Sequence, residues 1–117
     1  MADVVVRTAD LFFQMKILET AKQLGIEVKT AGTADALRAE ARDAKLILLE
    51  LDGHSGMLEA IEELRKAGNR TPVIAFLSHV QTELAERARA AGCTEVLPRS
   101  QFTQRLADIL SSTRSKE

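Results

Sequence analysis

The sequence predicts an α/β domain, a doubly wound five-stranded parallel sheet with helices on both faces, and three observations predict it. First, "DVVV" (Asp3 to Val6), "LILL" (Leu46 to Leu49) and "VIAFL" (Val73 to Leu77) are continuous β-branched or aliphatic runs. Runs without polar alternation suit strands covered on both faces. Second, "GIEVKTAG" (Gly25 to Gly32) alternates apolar and polar, and "TEVLPR" (Thr94 to Arg99) is short and carries a proline, so both read as edge strands. Third, amphipathic helical patterns separate these runs. Strict alternation at this spacing requires right-handed crossovers between parallel strands.

The elements follow in order. After the first run, Phe13, Ile17, Ala21 and Leu24 share one helical face, with Asp10 as N-cap and Gly25 as the C-terminal stop. Leu37, Ala41 and Ala44 line a second helix behind the cap Thr33; its apolar face is mainly alanine. Met57, Ile61 and Leu64 line a third, closed by Gly68 before Pro72, and Ser55 reads as its cap. Leu84, Ala88 and Ala91 line a fourth, closed by Gly92. Leu106, Ile109 and Leu110 line a fifth, which runs into "SSTRSKE". The domain is expected over residues 1–112, with 113–117 a polar tail.

Composition narrows the function. A chain of 117 residues, 45% hydrophobic, with 16 basic and 17 acidic side chains, fits one domain with one core. Its net charge of -1 supplies no global attraction to nucleic acid or to an anionic membrane, so neither is expected as a partner. Cys93 stands alone, which excludes an intramolecular disulfide and a Cys-rich zinc site and matches a reducing, cytoplasmic setting. The N-terminus lacks a signal-peptide pattern, and no apolar run approaches the ~20 residues a membrane span needs.

In doubly wound sheets, functional groups collect at the carboxyl ends of the strands. Those positions hold Arg7 and Thr8, then Glu50 and Asp52, then Leu77 and Ser78, and last Arg99. Other motifs are weak. His54 and His79 make a poor metal signature, and Ser55 in "GHSG" lacks the spacing of a nucleophile elbow. No glycine-rich phosphate loop follows the first strand, where the sequence is "RTADLFF". A flavin is disfavoured by 3% aromatic content without Trp or Tyr. No metal or cofactor is expected.

The segments "KLILLELDG", "TPVIAFLSH" and "AAGCTEVLPRSQF" resemble the third-strand, fourth-strand and fifth-strand segments of CheY-like receiver domains from two-component response regulators, and the resemblance covers essentially the whole chain. It implies a flavodoxin-like strand order of 2-1-3-4-5 with five helices. It also implies a phosphorelay role and a protein partner, a homodimer among the forms available. The family's acid pair falls on Arg7 and Thr8, its phosphoacceptor aspartate on Glu50, its hydroxyl on Leu77 or, one residue along, Ser78, and its lysine on Arg99. The switching aromatic falls on Val96 and the proline after the lysine on Ser100. The loop "DGHSG" is shorter than the family's and lacks its proline. The resemblance also points to a partner face made of Glu83, Glu86, Arg87, Arg89, Val96, Arg105 and Asp108.

These replacements predict a degenerate pocket, hence a pseudo-receiver and not an enzyme. A divalent ion about 5 Å from a guanidinium at Arg7 is repelled by roughly 6–7 kcal/mol at an effective dielectric of ~20. A guanidinium can instead hold a carboxylate without any ion, so an Arg7–Glu50 pair is expected, with Arg99 approaching from the other side. The plainer reading is a charge cluster of no functional consequence, worth ~0–1 kcal/mol per exposed pair. The competing function is an atypical active receiver that accepts a phosphoryl group on Asp52 or Glu50.

Overall fold

The computed structural model describes residues 3–51, 56–77 and 82–113. Its strands β1 (Val4–Arg7), β2 (Val28–Thr30), β3 (Leu46–Glu50), β4 (Val73–Leu77) and β5 (Glu95–Pro98) form one sheet in the order β2-β1-β3-β4-β5. Every pairing is parallel. The two segments read as edge strands are the two edges. Between and after the strands lie α1 (Leu11–Leu24), α2 (Ala34–Glu40), α3 (Met57–Lys66), α4 (Thr82–Ala91), α5 (Arg99–Gln104) and α6 (Leu106–Ser111). Among the described residues no helix is long and apolar enough to cross a membrane.

The uninterrupted apolar strands are explained by two cores. Side chains alternate along a strand, so Val5, Ile47, Leu49, Val73, Ala75 and Leu77 face one side, where they meet Leu37 of α2, Met57 and Ile61 of α3 and Ala88 of α4. Val4, Val6, Leu46, Leu48, Ile74 and Phe76 face the other, against Phe13 and Ile17 of α1, Phe102 of α5 and Ile109 and Leu110 of α6. On this second side Phe76 and Phe102 stack with ring centroids 4.3 Å apart, and Phe13 meets Phe76 edge-on at 5.2 Å. That aromatic cluster lies beneath the carboxyl ends of β3 and β5.

Local chemistry sets the helix ends. Asp10 accepts from the Phe13 N–H at 3.1 Å, and Gly25 closes α1 in the left-handed region at φ 74°. Thr33 caps α2 through the Ala36 N–H, also at 3.1 Å. α2 ends earlier than its pattern suggested: Ala41 is its C-cap, and Ala44 packs on the core from beyond the helix. In α4 the innermost residues are Ala85, Ala88 and Ala91, with Leu84 half-buried at the margin. The N-cap of α3 is Gly56; Ser55, expected there, lies outside the described residues.

The fifth helix of the sequence reading, carried by Leu106, Ile109 and Leu110, is α6; the short α5 before it is an addition, so the described residues hold six helices. The break falls at Arg105, whose N–H is shared between the Gln101 and Phe102 carbonyls. Two residues earlier the Thr103 hydroxyl bonds back to the Arg99 carbonyl at 2.9 Å, a contact that bends helices. Thr113 remains buried beyond α6, its hydroxyl on the Leu110 carbonyl, and residues 114–117 lie outside the described residues.

The turn from α4 into β5 is clamped by Arg65, whose Nε and Nη2 both donate to the Gly92 carbonyl, at 3.1 and 2.8 Å, while Nη1 donates to Asn69. Gly92 has φ 118°, and a Cβ there would lie 2.7 Å from the Arg65 Cγ. Nearby, burial pushes the Cys93 thiol up to about 11. Gly92→Ala therefore combines a left-handed backbone with a collision and is expected to cost about 1–3 kcal/mol in urea unfolding. A second substitution, Gly32→Ala, meets nothing within 4 Å and has an ordinary φ, and should stay within about 0.5 kcal/mol of the parent.

Candidate functional site

β3 delivers a carboxylate into the interior. Glu50 is its last residue, 5% exposed, and the register sets it level with Phe76 on the aromatic side of the sheet. Burying an ionised carboxylate is costly unless donors meet it. Here three do. Oε1 accepts from the Thr8 hydroxyl at 2.7 Å and from the Ala9 N–H at 2.9 Å, while Oε2 accepts from Arg99 Nη2 at 2.8 Å. Thr8 is itself buried, and its oxygen accepts from the Asp10 N–H at 3.1 Å. The turn from β1 into α1 is thus wrapped around the Glu50 side chain.

Arg99 comes from the opposite side as the first residue of α5. Its Nη2 holds Glu50, and its Nη1 holds Asp10 Oδ2 at 2.9 Å. The guanidinium carbon lies 4.6 Å from the centroid of the Phe13 ring, which adds a cation–π contact. A planar fork can bridge two carboxylates in this way; a lysine, carrying one compact charge, cannot do so with the same geometry. One cation therefore ties together the end of β3, the first turn of α1 and the start of α5.

The sequence expectation set Arg7 against Glu50, with Arg99 approaching from the other side. The structure places Arg99 on Glu50, and the register sets half-buried Arg7 level with Leu49, one residue short of Glu50 and on the other side of the pleat. Thr8, Glu50 and Arg99 converge. Leu77, 2% exposed, belongs to the opposite core, with Val96 packed at its edge. Asp52 and Ser78, with His54 and His79, lie outside the described residues. Glu83, Glu86, Arg87, Arg89, Arg105 and Asp108 are all exposed.

Asp10 is the site residue that sequence reasoning missed, having been read only as a helix cap. Its position two residues after Thr8 was the available signal, since that places it at the mouth of the sheet. The Phe13 N–H and then the Arg99 guanidinium hold its carboxyl below the ordinary 3.8.

No family model matches the sequence, nor does any curated protein. Solved structures do. The chain is similar to a two-component response regulator from Clostridium difficile, 14% identical with a TM-score of 0.80, over 97% of this chain and 96% of that one. It is likewise similar to the receiver domain of NtrX from Brucella abortus, 22% identical with a TM-score of 0.77, over 95% and 97%. A third likeness is to the chemotaxis response regulator CheY4 of Vibrio cholerae, 20% identical with a TM-score of 0.76, over 97% and 98%. The chain has the CheY-like receiver fold.

Magnesium, which the resemblance implies, is not suited by the described residues at this strand-end site. Mg²⁺ seeks oxygen ligands in octahedral array. Both Glu50 oxygens already accept from donors, one of them a guanidinium that the ion would have to displace. Among the described residues no three His, Cys, Asp or Glu side chains are grouped to hold a metal.

Two outcomes follow from the Arg99 bridge. In a urea double-mutant cycle of Glu50→Gln and Arg99→Met, each single change should cost about 3 kcal/mol, with a coupling of about 1–3 kcal/mol; a coupling under ~0.5 would mean that the pair is only a solvated contact. The second concerns acid. Because Asp10 is held below 3.8, the folded chain keeps it ionised where the unfolded chain takes up a proton. Its stabilisation is complete above that value and is lost as pH falls through the folded one, so Asp10→Asn should flatten the acid limb of stability below about pH 4.

Proposed function

We propose that this chain is a receiver-like signalling module of two-component type whose phosphoacceptor pocket is degenerate, locked by its own ion pair, and which acts by protein contact without being phosphorylated. One observation carries the reading: the carboxylate at the acceptor position is buried with both oxygens taken, by Thr8 and Ala9 on one and by Arg99 on the other. An attacking carboxylate needs a free oxygen lone pair and a cation to neutralise the incoming phosphoryl group. Both Glu50 oxygens are instead turned to donors within the chain, and its cation is committed to Asp10 as well.

With the fourth-strand hydroxyl position aligned on Leu77, and not one residue along on Ser78, the surroundings support the same view. Leu77 is buried in the α3 and α4 core, and Val96 stands where the switching aromatic would be. Neither side chain can form a hydrogen bond to a phosphoryl group or report one. In this reading Glu50 is a permanent anion that keeps the pocket in a single arrangement, and the fold serves as a scaffold for a protein partner.

Incubation with acetyl phosphate and Mg²⁺, followed by intact mass and by NMR, tests this. The expected result is no phosphoryl adduct and no Mg²⁺-dependent shift at Thr8, Glu50 or Arg99. An adduct that disappears in Glu50→Gln or in Asp52→Asn would overturn the reading and assign an atypical active receiver with that residue as acceptor.

A further inference from the structure

The helix α4 is attached to the sheet differently from the rest. Among the described residues it buries no side chain larger than alanine: Ala85, Ala88 and Ala91 form its inner face, with Leu84 half-buried at the margin. Every other helix buries at least one Phe, Leu, Ile or Met. Hydrophobic stabilisation scales with the apolar area removed from water, so an alanine face holds its helix less firmly than a leucine one.

A contact from α3 compensates. Arg65 donates twice to the Gly92 carbonyl, from Nε at 3.1 Å and from Nη2 at 2.8 Å, and its Nη1 reaches the Asn69 carbonyl at 3.1 Å. Asn69 in turn donates to the Ala41 carbonyl at 3.3 Å, which anchors the guanidinium to the amino edge of the sheet. Hydrogen bonds from an ionised donor are stronger than neutral ones. The contact also marks where α4 ends. The Cys93 N–H donates to the Ala88 carbonyl at 3.0 Å and so belongs to the last helical turn. Thr94 is instead held to β4 twice, its N–H on the Val73 carbonyl at 2.7 Å and its hydroxyl accepting from the Val73 N–H at 3.0 Å. A seam therefore lies between Cys93 and Thr94.

We infer that α4, with the turn through Cys93, opens from the sheet as a unit while the rest of the domain stays folded, and that Arg65 is the pin that sets how often it opens. Local openings take their free energy from the contacts of the segment that moves, and not from the whole core. Here those contacts are the alanine face and the Arg65 clamp. Opening bares Cys93, which is 7% exposed when closed. The thiol reports the motion and is not itself a site. Arg65 lies at the opposite edge of the sheet from Glu50, so this inference does not rest on the state of the acceptor position, and its test fails separately from the phosphodonor test.

Alkylation of the full chain with iodoacetamide reads the opening, because the sequence holds one cysteine. The thiolate displaces iodide, one S–C bond forms, and the thiol proton goes to the buffer. The rate should stay flat through low urea and rise only as the chain unfolds. Ile17→Val, in the opposite core, should lower the urea midpoint and leave the labelling rate within about twofold of the parent. Arg65→Met should raise the rate about tenfold or more, with Arg65→Lys between. Burial pushes the thiol up to about 11 and the Arg65 charge pulls against it, so loss of that charge alone would slow the reaction. Amide exchange at Ala88 and Ala91 should quicken in step, which direct access of the reagent to the thiol would not produce. Labelling that climbs with urea from the start, or rises about fivefold in Ile17→Val, would mean that only global unfolding frees Cys93 and would overturn the inference. An unchanged rate in Arg65→Met, or unchanged exchange at the two amides, would overturn it as well.

Discussion

A carboxylate buried at the end of a central strand has to be neutralised by something, and among the described residues the guanidinium of Arg99 does so. Arg99 reaches Glu50 with one nitrogen and Asp10 with another, and rests on the Phe13 ring. Each contact belongs to a different element, so the cation fixes how α1, β3 and α5 meet at the carboxyl edge of the sheet. The aromatic cluster of Phe13, Phe76 and Phe102 supplies the dry floor on which this happens. Low dielectric strengthens the ion pair and makes the loss of either partner costly.

This arrangement bears directly on whether the receiver fold can act as a switch. A switch needs two arrangements of similar free energy, with a ligand or modification that favours one. Here both oxygens of the Glu50 carboxylate at the mouth of the sheet already accept from groups within the chain. The hydrogen bonds from Thr8 and Ala9 hold the β1 turn to Glu50 from one side, and the guanidinium closes the other. In the proposed reading the chain has kept the scaffold and given up the equilibrium.

The same network connects to the surface of α1. Asp10 is at once the helix cap, a ligand of Arg99 and the residue before the exposed Leu11 and Phe12. Rigidity at the mouth therefore extends to the first turn of α1. The helix α4 is held otherwise, by an alanine face and by Arg65.

Much of the fold was legible from the chain alone, because hydrophobic periodicity and capping chemistry are local. The runs at Val4, Leu46 and Val73, the caps at Asp10 and Thr33 and the stop at Gly25 each act within one element, and each appears where the pattern put it. The convergence of Thr8, Glu50 and Arg99 was also readable, since strand ends in a parallel sheet meet at one edge. What needed the tertiary structure was the choice of partner. Arg7 and Arg99 are equivalent cations on paper, and only the pleat, which sets Arg7 level with Leu49 and Glu50 level with Phe76, decides which face each strand-end side chain takes. The break at Arg105 and the exposure of Leu11, Phe12 and Met15 depend in the same way on packing between distant segments, which no local pattern encodes.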